Sequence, residues 1–299
     1  MPKVPFVVPH RASLPTARAK DWQQPSLSDK AERMSTPQPG IFAQGTRTHR
    51  HLQFAIRKGV AAAAIRAALN ELRQPAVSAG GANIVLGFSA EVWRTISLDP
   101  VPTALTGFPK VADVPITQCG IWAWCHGTGE DVLLDVACAV TAALADVATL
   151  QQEVDGFVYR DSRDLTGFID GTENPPVEAA YHVATIPNDS PGAGGSFAIT
   201  QRWVHRLDEF NKLRVDEQEG VIGRTKADSI ELPDNRKPAN AHIARVVIED
   251  GGEELEIYRR SVAYGTVAEQ GLLFVAFSAD PARFERMLRR MFGVDGCES

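Results

Sequence analysis

The chain has 299 residues, 44% hydrophobic and 23% charged, which suits a soluble globular protein of one large or two ordinary domains with room for a full core. Its formal net charge of -6 argues against general attraction to nucleic acid or to an anionic membrane surface, and no apolar run approaches the length of a bilayer span. The four cysteines, Cys119, Cys125, Cys138 and Cys297, form no Cys-x-x-Cys pair and no metal-ligand spacing. They read as reduced thiols, and with neither an apolar signal core nor a twin-arginine pair at the N-terminus the expected location is the cytoplasm.

Residues 1–37 are rich in Pro, Ser, Ala and charges, lack periodicity, and read as a flexible tail, with Met34 as an alternative beginning. From His49 the pattern becomes regular. A strand is expected at about 50–57, an alanine-rich helix at 60–73, a strand at 83–88 and a short helix over Glu91–Ile96. After a proline-marked loop come strands at Gln118–His126 and about Val154–Tyr159, with an amphipathic helix at Glu130–Leu150 between them, acidic in its first turn. This order of strand, helix, strand, strand, helix, strand defines a ferredoxin-like unit over 38–160. A comparable order begins again over 161–299, with strands at Gly195–Val204, Ala244–Glu249 and Gly271–Ser278, helix over Asp208–Gly223, and a proline-opened helix at Pro281–Phe292. A last strand is expected after Phe292, but Gly293, Asp295 and Gly296 lead to Ser299, so the second unit reads as one strand short. The fold class is therefore α+β, built from two βαββαβ units.

The chemistry concentrates in Asp164–Pro176, where Asp170 lies between Gly167 and Gly171 with prolines beyond, so that its carboxylate sits on a bent loop able to approach a bound group. Most Asp-Gly pairs are surface turns. Here Phe168 and Ile169 directly before Asp170 argue for partial burial, and a buried carboxylate needs a partner. His242 and the pair Arg259-Arg260 are candidates, although spacing does not say that they meet.

Five ordered motifs carry a resemblance: Gly-Phe-Ile-Asp-Gly-Thr-Glu-Asn-Pro at 167–175, Gly-Gly-Ser-Phe with Gln-Arg-Trp at 194–203, Val-Ile-Gly-Arg-Thr-Lys at 221–226, His-Ile-Ala-Arg-Val at 242–246, and Tyr-Arg-Arg-Ser-Val-Ala-Tyr-Gly at 258–265. In these the chain resembles the dye-decolourising peroxidases, B-type branch, and a weaker match from Gln38 to Tyr159 extends the resemblance over most of its length. The resemblance implies the dimeric α+β barrel arrangement, one haem b per subunit in the C-terminal unit, and His242 as axial ligand to the haem iron. It matches none of the other six histidines, His10, His49, His51, His126, His182 and His205, to a ligand position. Asp170 and Arg259 would occupy the opposite face, the carboxylate to shuttle a proton and the guanidinium to supply a fixed positive charge for peroxide cleavage. That guanidinium would favour the ionised carboxylate and give an acidic optimum.

Further roles follow from the same resemblance. Ser261 would be a distal hydrogen-bond partner, Arg224 would bind a haem propionate, and Gly167, Gly171, Thr172 and Asn174 would shape the loop rather than react, Gly171 and Thr172 against the cofactor. The carboxylate behind the iron ligand falls near the short C-terminus, where Asp295 is the candidate. Trp93, Trp203, Tyr258 and Tyr264 are core aromatics first and electron relays second. The implied partners are hydrogen peroxide and a bulky electron donor such as a dye or phenol, without nucleic acid or membrane, in a homo-oligomer that could be encapsulated. Release of iron from haem, as in a deferrochelatase, and a haem carrier without turnover are the alternatives. A carrier needs the axial ligand alone, whereas peroxide cleavage needs the Asp-Arg pair as well.

Overall fold

The computed structural model describes residues 6–7, 36–72, 81–105 and 110–294. Its first element is a two-residue strand, β1 (Phe6–Val7). β2 (Thr48–Ile56) alternates faces, with Leu52 and Phe54 turned to a helix-covered core and His49 and His51 to the opposite side. Helix α1 (Ala62–Glu71) buries Ile65 and Ala68. β3 (Asn83–Phe88) leads into α2 (Ala90–Ile96), whose N-cap Ser89 accepts a hydrogen bond from the Val92 amide at 3.1 Å. β4 (Ile121–Gly127) is buried along its whole length. Helix α3 (Glu130–Leu144) presents Leu133, Val136, Ala137, Val140 and Leu144 as one apolar stripe, with Glu130 and Asp131 at its positive end. β5 (Ala148–Phe157) completes the N-terminal unit.

The second half is built of shorter pieces. These are α4 (Val177–Ala184), β6 (Ser196–Val204), α5 (Leu207–Phe210), α6 (Val215–Ile222), α7 (His242–Val246), the hairpin β7 (Glu249–Asp250) and β8 (Glu253–Glu254), β9 (Tyr258–Arg259), β10 (Val262–Gly265), β11 (Gln270–Ser278) and α8 (Ala282–Met291). β9 and β10 keep one register against β11, from Tyr258 opposite Phe277 to Gly265 opposite Gln270, so they form one strand in two parts.

All strands except β7 and β8 join one nine-stranded sheet, in the order β10-β5-β2-β4-β3-β1-β6-β11-β9, and β10 also pairs with β11, which closes the sheet into a barrel. β5-β2-β4-β3 is the ferredoxin-like order, and β6, β11 and β9–β10 repeat its first, third and second strands. At the β5–β10 junction Gly156 has to be glycine, because a Cβ there would lie 2.5 Å from Val262 Cγ2. The barrel interior joins Val85, Trp122 and Trp124 from one unit to Leu273, Val275 and Phe277 from the other. His49, His51 and His126 are buried among them, and burial holds all three neutral, His49 at a pKa of about 3 and His126 at about 2. They act as packing groups: His126 stacks on Trp124 at 4.0 Å, and Trp124 Nε1 donates to His49 Nδ1 at 3.0 Å.

Several elements differ from the sequence pattern. Of the strand expected at Ala244–Glu249, Ala244–Val246 lie in helix α7, where Arg290 of α8 bonds the Ala244 and Val247 carbonyls, and only Glu249 is in a strand, β7, while the unit's second strand lies at 258–265. The helix expected over Asp208–Gly223 breaks between α5 and α6. The helix expected to reach Leu150 stops at Leu144, with β5 beginning at Ala148. Within the segment expected to be a flexible tail, Phe6–Val7 pair with β3 on one side and β6 on the other, where two sheet edges leave room for a strand. Asp295 and Cys297 lie outside the described residues, as does most of that tail. Among the described residues no helix is long and apolar enough to cross a membrane.

Candidate active site

The loop that carries Asp170 is fixed by its own backbone and by three neighbours. Gly167 N donates to Asp164 O at 2.8 Å, Asp164 N to Phe168 O at 2.9 Å, and Asp170 N to Ser162 O at 2.9 Å. Gly167 adopts φ +90°, open to glycine at little cost, and so turns the chain back on itself. Arg163 clamps the loop from below, donating to Gly167 O at 2.9 Å, Lys226 O at 2.7 Å and Ala227 O at 2.9 Å. The Asp164 carboxylate accepts from Thr166 Oγ1 at 2.6 Å and pairs with His205 Nε2 at 2.9 Å.

Arg259 lies near enough to Asp170 and to His242 to act on the charge of each, although Asp170 is 72 residues before His242 in the sequence. Burial raises the Asp170 pKa above the ordinary carboxylate value; the Arg259 guanidinium opposes that rise and Asp164 adds to it. Burial therefore outweighs the guanidinium, and the lowered pKa behind the expected acidic optimum is not found. Burial also lowers the pKa of Arg259, with Asp170 and Glu254 working against that shift. His242 keeps a solvent-accessible face yet lies deep enough that burial, and then Arg259, lower its pKa. Its imidazole is therefore neutral at pH 7 and has a lone pair for a metal. Among the described residues no group of three or more His, Cys, Asp or Glu is placed to hold a metal ion.

The motifs point to Asn174 and Arg224 but not to the partners they hold. Asn174 clasps the backbone of Arg259 from both sides: its Nδ2 donates to Arg259 O at 2.7 Å, and Arg259 N donates to its Oδ1 at 2.8 Å. This ties the Asp170 loop to the strand that bears the guanidinium. Arg224 follows Gly223, whose φ of +95° ends α6 and whose missing Cβ leaves space for Ile243, next to His242. Its guanidinium donates to Ser229 O at 2.7 Å and pairs with Glu173, while its Nε is buried without a partner. Arg290 donates to Val247 O at 2.6 Å and Ala244 O at 2.9 Å, and so holds the helix of His242 against α8.

The other expected residues are placed as follows. Ser261 follows the Arg259-Arg260 pair, and its Oγ accepts a bond from Val275 N at 3.3 Å, so that hydroxyl is engaged by the sheet. Gly171 takes φ +77° and its carbonyl accepts from Asn174 N at 3.1 Å, while Thr172 is exposed beside it. Tyr258 and Tyr264 are buried in the barrel core, and Trp203 stacks on Phe292 at 6.2 Å.

Comparison with known proteins bears on this arrangement. The family model described as Dyp-type peroxidase, N-terminal, matches residues 38–158, and Dyp-type peroxidase, C-terminal, matches residues 161–298. A dye-decolorizing peroxidase of Rhodococcus erythropolis is 40% identical over 224 residues, which are 72% of this chain and 66% of that protein. One from Mycobacterium tuberculosis is 37% identical over 218 residues, 70% of this chain and 65% of that protein. The chain thus spans slightly under two thirds of the length of these curated relatives. Among solved structures, a haem-bound variant of DypB from Rhodococcus jostii RHA1 superposes with a TM-score of 0.79 at 32% identity, covering 84% of this chain and 86% of that one. The encapsulated DyP-type peroxidase from Mycobacterium smegmatis gives a TM-score of 0.81 at 33% identity, covering 87% and 88%.

Proposed function

The chain belongs to the Dyp-type peroxidase family, and from that premise we propose that it is a haem b peroxidase, which reduces hydrogen peroxide by two electrons and then oxidises a dye, a phenol or another bulky donor in two one-electron steps. The observation that carries the reading is a half-buried Asp170 and Arg259, close enough to act on each other's charge, with an accessible, neutral His242 in range of the same guanidinium. The residues fit haem. His242 would hold the iron through its neutral imidazole, and the unpartnered Nε of Arg224 suits an anionic propionate.

When bound, haem supplies the redox chemistry that no side chain here can perform. His242 would hold the iron through one of its ring nitrogens. Asp170 takes a proton from the near oxygen of the peroxide and returns it to the leaving oxygen; its raised pKa brings it nearer to working pH as an acid-base group. Arg259, fixed through its backbone by Asn174, offers positive charge to the oxygen that departs, and in a site shielded from water that charge counts for more. Residues 161–294 would carry the chemistry and 38–160 would provide the wall of the barrel.

The two groups also weigh against a carrier, which has no use for a carboxylate and a guanidinium both shifted by desolvation beside the ligand. The direct test is to load the protein with haem, add peroxide and a dye, and follow both the Soret band and bleaching. Bleaching that needs peroxide and falls at least about a hundredfold in Asp170→Asn or Arg259→Leu supports the reading. Haem binding with equal turnover in both variants would reject it.

A further inference from the structure

In a ferredoxin-like unit the fourth strand lies beside the first and runs antiparallel to it. β5 holds that place in the N-terminal unit, beside β2. In the C-terminal unit the equivalent place, beside β6, is held by β1, with Phe6 opposite Phe197 and Val7 opposite Ser196. The correspondence extends to the other neighbour. β5 pairs with β10, part of the second strand of the opposite unit, and β1 pairs with β3, the second strand of the opposite unit, Phe6 facing Phe88 and Val7 facing Gly87. All four pairings are antiparallel.

We propose that Phe6–Val7 is the fourth strand of the C-terminal unit, supplied from the opposite end of the chain, and that it keeps the cofactor-bearing half in shape. β3 and β6 form a strand-acceptor slot, and its occupant is the chain's own N-terminal segment. The pairings make β1 an interior strand with a neighbour on each side, so its removal leaves two edges with unpaired backbone groups.

The effect would pass to the site through packing. Phe197, opposite Phe6, is 2% exposed and belongs to a cluster with Ala90, Leu105, Ile257, Phe284 and Leu288, which joins the start of α2 to α8. α8 in turn holds α7 by Arg290, and α7 begins at His242. This last link rests on the reading of His242 as the haem ligand; the strand itself does not.

The test compares the full chain with a variant that begins at Met34, with Val7→Pro and Val7→Ile in the full chain, and with the Met34 variant given a synthetic peptide of residues 2–12. Proline removes a ladder donor and is not accepted in an interior strand, whereas isoleucine is. Amide exchange at Gly87, Phe88 and Phe197 and the melting temperature are read on the protein without haem, and haem retention is read separately.

The expected result is that the Met34 variant and Val7→Pro exchange at least about tenfold faster at those amides and melt roughly 4 °C or more lower, while Val7→Ile matches the full chain. The peptide restores protection, and if the Met34 variant is soluble only with the peptide, that too supports the strand. Unchanged exchange and melting in both the Met34 variant and Val7→Pro, with no peptide binding, overturns the proposal even if haem binds normally. Changed exchange in a protein that never binds haem leaves the strand standing and removes the haem reading instead.

Discussion

The two halves of the barrel share a strand order and differ in how their backbones are satisfied. In the N-terminal unit α1 and α3, of 10 and 15 residues, lie on β2 to β5 and close one continuous apolar core. Its backbone groups pair largely within helices and ladders, with Gln38 on Leu86 and Arg57 on Ala145 O as side-chain additions, and its buried histidines are neutral packing groups. In the C-terminal unit the longest described helix, α8, has 10 residues, and much of the backbone between elements is satisfied by side chains, among them Arg163, Asn174, Arg283 and Arg290. Every member of the candidate site, Asp170, Arg224, His242 and Arg259, comes from this half. The comparison teaches that long elements make a stable wall but leave few free polar groups, whereas short elements pinned by side-chain bonds can aim several titratable groups at one place.

If this division of labour holds, damage to one half should show in chemistry and damage to the other in stability. The largest effect expected is from His242→Ala, which should abolish haem retention, seen as loss of the Soret band after gel filtration, and change the melting temperature of the haem-free protein little. Arg259→Leu should retain haem and slow peroxide cleavage by roughly 100- to 1,000-fold, measured by stopped flow. A rate within threefold of the parent would remove Arg259 from the mechanism.

Asp170→Asn should slow the same step by at least about a hundredfold and abolish its pH dependence. The sign follows from the raised pKa of Asp170. The base form is lost as pH falls through a value above that of a free aspartate, so in the parent the acid limb of the rate profile should lie above about pH 4. In stability the same shift works the other way. A carboxyl whose pKa is raised by folding penalises the native state increasingly as pH rises from the unfolded value through the folded one. Asp170→Asn should therefore melt higher than the parent at pH 7, with the difference shrinking at pH 3; a lower melting temperature at pH 7 would contradict the burial argument.

The opposite half gives the control. Leu133 is 1% exposed beneath α3, and Leu133→Ala should cost about 2–5 kcal/mol in denaturant unfolding and leave the haem-to-protein ratio and the per-haem rate of the folded fraction unchanged. The smallest effect is expected from Asn174→Ala, which unpairs the Arg259 N–H and carbonyl. It should cost about 1–3 kcal/mol of stability and lower turnover without changing the pH profile, because it moves the guanidinium and not the acid-base group. A shifted acid limb in this variant would show that Asn174 acts on Asp170 instead.

The sequence by itself determined whatever depends on neighbours within a few turns. The stripe of Leu133, Val136, Val140 and Leu144 specifies α3, the alternation around Leu52 and Phe54 specifies β2, and the glycines around Asp170 specify a bent loop. The motifs also brought Asp170, Arg224, His242 and Arg259 to notice as residues. Only the tertiary structure decided what those residues meet. Asn174 reaches Arg259 across 85 positions, and no local pattern encodes such a contact. His242–Val246 form a helix whose end Arg290 of α8 holds through the Ala244 and Val247 carbonyls, contacts 46 and 43 positions away that local pattern does not encode. The direction of the Asp170 pKa depends on how burial compares with the guanidinium beside it, and burial is a property of the assembled fold. Phe6–Val7 carry too short a signal to read as a strand; what makes them one is the pair of edges, β3 and β6, between which they lie.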